Sequence, residues 1–133
     1  MTIEEAIAAT LDRWGREPFA WGSSDCDLSM ADYVQMLTGK DPAAAWRDRY
    51  QDEMGAKAFI GCAGGNVHLV TTGMASIGLA PVSEPLRGDV VVVDTGAMQI
   101  TGLYLDPWVA LRMEGRRTLR TKRFPILKAW RCV

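Results

Sequence analysis

Apolar residues change their rhythm once along this chain. Up to about Gly78 they recur three and four positions apart, and from Leu86 they fall in short continuous or alternating runs. The first rhythm belongs to helices with one buried face, the second to strands. Thr2 followed three residues later by Glu5 is a capping-box pattern, and Ile3, Ile7, Leu11 and Trp14 then repeat at helical spacing until Gly15. A short amphipathic helix is predicted there. After the loop-forming FAWGSSD, a second helix is expected from about Asp25, with Cys26, Met30, Tyr33, Val34 and Leu37 on one face and Gly39 as its stop. Asp41 before Pro42 reads as a cap and a first-turn proline, so a third helix is expected through AAAWRDRY to about Asp52. Ala56 to Ala63 reads as another short helix ended by Gly64 and Gly65. Asn66 is a candidate cap for a segment reaching Ile77 and Gly78.

In RGDVVVVDTG four consecutive valines stand between Gly88 and Gly96, the signature of a strand buried on both faces. ITGLYL, WVALRM, TLRTKRF and KAWRCV follow, with Asp106-Pro107 and Glu114-Gly115 as turns. Helices first and an antiparallel meander afterwards give an α+β class, N-terminal helices packed on a C-terminal sheet. The 133 residues show no repeat, linker or low-complexity tract and are read as one domain, 1–133.

Charge changes this picture little. With 15 basic and 16 acidic side chains there is no electrostatic case for nucleic acid or an anionic membrane as partner. Arg116, Arg117, Arg120, Lys122 and Arg123 alternate with apolar residues and read as the solvent side of strands. No apolar run approaches the roughly 18–20 residues that span a bilayer, and MTIEEAIAA, acidic ahead of its apolar positions, is not expected to be an export signal. Cys26, Cys62 and Cys132 lack Cys-x-x-Cys spacing, so reduced thiols are expected rather than disulfides or a thiolate zinc site. One histidine, His68, excludes a multi-histidine metal site, and no cofactor is expected. The five tryptophans are read chiefly as core and interface anchors. GCAGG lacks the lysine of a phosphate loop and reads as a turn.

The stretch WGSSDC carries the candidate chemistry. A cysteine in the first turn of a helix faces unpaired backbone N–H groups and the positive end of the helix dipole, which favour a thiolate and hence a nucleophile. Asp25 works against this, because a neighbouring negative charge raises a thiol pKa. The plainer alternative makes WGSSD a loop and cap, with Cys26 a small core residue.

FAWGSSDC, the amphipathic helix that ends in TGKD, LRGDVVVVD and ITGLYLD occur in an order that resembles the NlpC-type cell-wall cysteine peptidases, a papain-like superfamily. The likeness runs from Phe19 to Asp106. It is closer still to small divergent relatives among phage and prophage tail genes, which end on an aromatic-containing strand like KAWRCV. The resemblance implies a papain-like NlpC-type fold with Cys26 at the nucleophile position, Asp25 before it, and Gly88-Asp89 opening the first central strand. It places the general base two residues before Gly102, which is Ile100. Isoleucine neither holds a thiolate nor protonates a leaving amine, and neighbouring Gln99 and Thr101 do not titrate near neutral pH. Two readings follow. In the favoured one the chain is a structural or adaptor domain of a phage tail tip or hub that has lost the catalytic histidine, made in the bacterial cytoplasm and built into a virion. In the other it is a peptidoglycan endopeptidase in which Cys26 works with a non-standard base such as His68.

Overall fold

In the computed structural model, which describes residues 1–133, four helices precede six strands. The helices are α1 (Ile3–Arg16), α2 (Cys26–Thr38), α3 (Glu53–Cys62) and α4 (Asn66–Ser76). The strands are β1 (Pro81–Val82), β2 (Val90–Asp94), β3 (Gln99–Tyr104), β4 (Val109–Met113), β5 (Arg117–Thr121) and β6 (Ile126–Trp130). The class is α+β, with the N-terminal helices packed on a six-stranded antiparallel sheet.

Local signals set the start of α1, which runs through Gly15 to Arg16, and both ends of α2. Thr2 and Glu5 exchange the two hydrogen bonds of a capping box, 2.9 and 3.1 Å, satisfying two N–H groups that the helix itself leaves open. Asp25 caps α2, and Gly39 ends it at φ 75°, a left-handed conformation suited to glycine.

The expected helix from Asp41 to Asp52 does not form; residues 42–48 are a chain of turns. Arg47 reaches back to Asp41 and across to Asp32, and Asp48 adopts φ 61° with its N–H donated to Gly22 O at 2.9 Å. This path seats Trp46 and Tyr50 in a core cluster with Leu28 and Leu69. Tertiary contacts outweigh a helix propensity worth only tenths of a kcal/mol per residue. Trp46 comes so close to α4 that a Cβ on Gly73 would lie 2.7 Å from its ring. Asn66 is the first residue of α4 rather than its cap, and its side chain is used elsewhere.

The sheet order is β1-β6-β2-β3-β4-β5, so β2 to β5 form the expected meander while β6 returns to pair with β2. The two-residue β1 on the outer edge of β6 has too short a pattern to be read from sequence. The valine run is buried on both faces, as its composition predicts. Val90 and Val92 join Leu103, Ala110 and Trp130 against the helices, and Val91 and Val93 join Val109, Leu111 and Ala129 on the opposite face. Full burial of such a side chain stabilises by about 1.5–3 kcal/mol, which makes β2 the anchor of the sheet. β3 pairs with β4 only at Leu103 and Tyr104. Residues 99–102 form no ladder pairs with β4, and a pocket opens where Gln99 and Ile100 lie across from Arg112 and Met113.

Candidate functional site

The stretch WGSSDC is first of all a cap. Gly22 sits at φ 84°, and a Cβ there would lie 1.9 Å from Tyr50 O, so only glycine allows the turn to pass under that carbonyl. Asp25, 1% exposed, accepts from Gly22 N at 3.1 Å, Leu28 N at 2.9 Å and the Tyr50 hydroxyl at 2.6 Å. Burial, followed by the Asp25 charge, pushes the Tyr50 hydroxyl well above its ordinary range, which keeps it a donor. Three donors thus hold the Asp25 carboxylate in a structural role.

Cys26 begins α2 and is partly exposed at the pocket wall. The nearby backbone N–H groups of Thr101 on β3 and of Asp27 in the first helical turn act to lower its pKa. Burial is the larger effect, and the charges of Asp27 and Asp25 add to it, so the thiol pKa stands well above its ordinary value. The helix-start argument for a thiolate is outweighed here, and Cys26 carries its proton at neutral pH.

Asp27 was not a candidate from sequence, yet it is the centre of the site. It is 4% exposed, and its carboxylate accepts the Thr101 hydroxyl. With its amide turned to satisfy both of its ends, Asn66 donates to Oδ2 at 2.6 Å. Burial dominates over these bonds, and the Asp27 pKa is raised to about 7. Three elements, α2, β3 and α4, meet at this one carboxyl group. Its sequence signal was a charged residue at position 27 in register with apolar Ala31 and Val34, on a helix face that the core claims.

The pocket beside Cys26 has a volume of about 150 Å³, and its walls are mostly apolar, including Trp21, Ile60, Met98, Ile100 and Met113. Phe19 and Trp21 stack edge to face at 4.7 Å on one side. Ile100 pairs with Val93 and packs on the sheet face away from α2. The β3 side chain that reaches α2 is its neighbour Thr101, opposite Val92. Either register gives the same chemistry, because neither residue is a base. Gln99 accepts from Val67 N at 3.1 Å and so ties β3 to the start of α4.

His68 is exposed on α4, against Gly64, and is not among the residues that line the pocket. Asp89, at the start of β2, is paired with Arg131 at 2.9 Å, and the preceding Gly88 carbonyl accepts the Tyr33 hydroxyl at 2.6 Å. Arg112 on β4 lines the pocket, is 3% exposed and donates to Glu17 O at 2.8 Å. No group of three or more His, Cys, Asp or Glu side chains is placed to hold a metal ion, and no helix is long and apolar enough to cross a membrane. The site can donate and accept hydrogen bonds and can bury an apolar group. It has no imidazole within reach of the sulfur.

Residues 1–132 match the family described as Domain of unknown function (DUF6950), and the chain belongs to that family. No curated protein and no solved structure matches it.

Proposed function

We propose that this DUF6950 chain is a non-catalytic domain of papain-like, NlpC type, serving as a structural or adaptor piece of a phage or prophage tail tip or hub. The observation that carries the non-catalytic half is the surroundings of Cys26. Burial and then the charges of Asp27 and Asp25 raise its pKa, while neither Thr101, the β3 side chain that reaches α2, nor any residue lining the pocket offers the imidazole that a thiol peptidase needs. A protonated thiol without a base attacks peptide carbonyls poorly.

Support for the NlpC type comes from the architecture and the motifs together. A cysteine opens a helix that abuts the central strands, and the Gly88-Asp89 pair opens the first of them. The tail assignment follows from the likeness of FAWGSSDC, LRGDVVVVD and the closing KAWRCV to small tail-associated relatives. Proteins of the tail tip or hub are the partners this reading implies. Peptidoglycan is the substrate implied by the alternative, in which Cys26 cuts with His68 as base. The exposed position of His68 outside the pocket does not favour that alternative.

A Cys26→Ser variant tests the reading. Particle assembly and infectivity are expected to match the parent, and purified chain is expected to release no fragments from cell-wall sacculi. Fragment release by the parent, lost in Cys26→Ser particles that assemble normally, would overturn it.

A further inference from the structure

Six buried side-chain polar atoms meet no hydrogen-bond partner within the protein. Three of them, Thr10 Oγ1, Ser29 Oγ and Arg112 Nε, belong to residues that line a single small cavity among α1, α2 and β4. The three residues are only 2–3% exposed, so bulk solvent does not satisfy them. Buried polar atoms are normally bonded, and three such atoms around one space call for a common partner. The cavity measures about 10 Å³. That is room for about one water and for nothing larger.

We propose that Thr10, Ser29 and Arg112 hold one internal water molecule. The water accepts from the Arg112 Nε–H and links it to the two hydroxyl groups, which have rotors free to donate or accept. The obvious competitor is that each hydroxyl turns onto a carbonyl one helical turn back. Thr38 and Thr71 in this same molecule do so, at 2.9 and 2.6 Å. Thr10 and Ser29 do not, and both residues line the cavity.

Arg112 also needs the water most. It forms no ion pair, and its one protein acceptor is the Glu17 carbonyl. Of the carboxylates near it, Asp32 is held by Arg47 and Arg13, and Glu17 by Arg13. Arg112 lines both this cavity and the Cys26 pocket, so a water that holds its side chain also bears on the pocket wall.

A crystal structure at a resolution that shows ordered water, together with water-oxygen relaxation dispersion in solution, tests this. One density peak within hydrogen-bond distance of all three atoms is expected. The count of long-lived internal waters is expected to fall by one in a Thr10→Val, Ser29→Ala double variant. A dry cavity with the hydroxyls turned onto the Ala6 and Asp25 carbonyls would overturn the proposal, as would an unchanged water count in the variant. Should the double variant not fold, the parent crystal alone decides.

Discussion

Asp25 and Asp27 lie two residues apart at the start of α2, both almost completely buried, and the protein uses them in different ways. Asp25 takes two backbone N–H groups and a tyrosine hydroxyl, closing a local turn that the sequence announces. Asp27 takes a hydroxyl from β3 and an amide from α4, and burial raises its pKa to about 7. The first arrangement satisfies the charge with two donors from the turn and helix start around it and one from Tyr50. The second relies on groups 39 and 74 residues distant in sequence, counted from Asn66 and Thr101. A carboxyl beside a would-be nucleophile is therefore not one kind of object: on one side of Cys26 it is a cap, on the other a buried titrating group.

Substitutions should separate the two sides. The largest loss is expected from Gly22→Ala on the cap side, because the new Cβ meets Tyr50 O at 1.9 Å in a left-handed conformation. About 4 kcal/mol or more is expected, read as a fall in the urea midpoint or as failure to fold. Asp25→Ala follows at about 3 kcal/mol, the sum of a lost cap and of donors left unpaired at Gly22 and Tyr50. A loss below about 1 kcal/mol would show that water replaces the carboxylate.

Asp27→Asn should act with the opposite sign and depend on pH. The folded pKa of about 7 lies above the value of about 3.9 for an unfolded chain. The folded state therefore holds the proton longer. Stability from this group is complete below about pH 4, declines as pH rises to about 7, and is lost above it. The difference between parent and Asp27→Asn stability should fall across that window, by on the order of 2–4 kcal/mol. A flat difference from pH 4 to 8 would show that Asp27 titrates as an ordinary carboxylate. Smallest is Tyr50→Phe, expected to cost about 1.5 kcal/mol through one lost charge-assisted hydrogen bond, with no change in that pH profile.

The same contrast explains what could be read from the chain. Thr2 with Glu5, Asp25 and Gly39 mark helix ends by interactions within three or four residues, so sequence suffices for them. The valine run announces its burial by composition alone. The segment from Asp41 to Asp52 carries a helix pattern that loses to Trp46 and Tyr50 docking on distant residues. Thr101, Asn66 and Arg112 each belong to a different element, and only the topology brings them around α2. Cys26 itself was legible, but the sign of its pKa shift was not. That sign is set first by burial, which the sequence does not reveal, and then by Asp27 and Asp25, whose opposition to a thiolate the sequence does show.

The most direct test of a non-catalytic Cys26 is its alkylation rate as a function of pH, read by peptide mapping so that Cys62 and Cys132 are resolved separately. Labelling that rises only above about pH 8.5, or that stays slow until the chain unfolds, is the predicted result for a thiol held neutral by burial and two acids. Fast labelling that persists below about pH 7 would contradict the account, because it requires a stabilised thiolate that this site is built to disfavour.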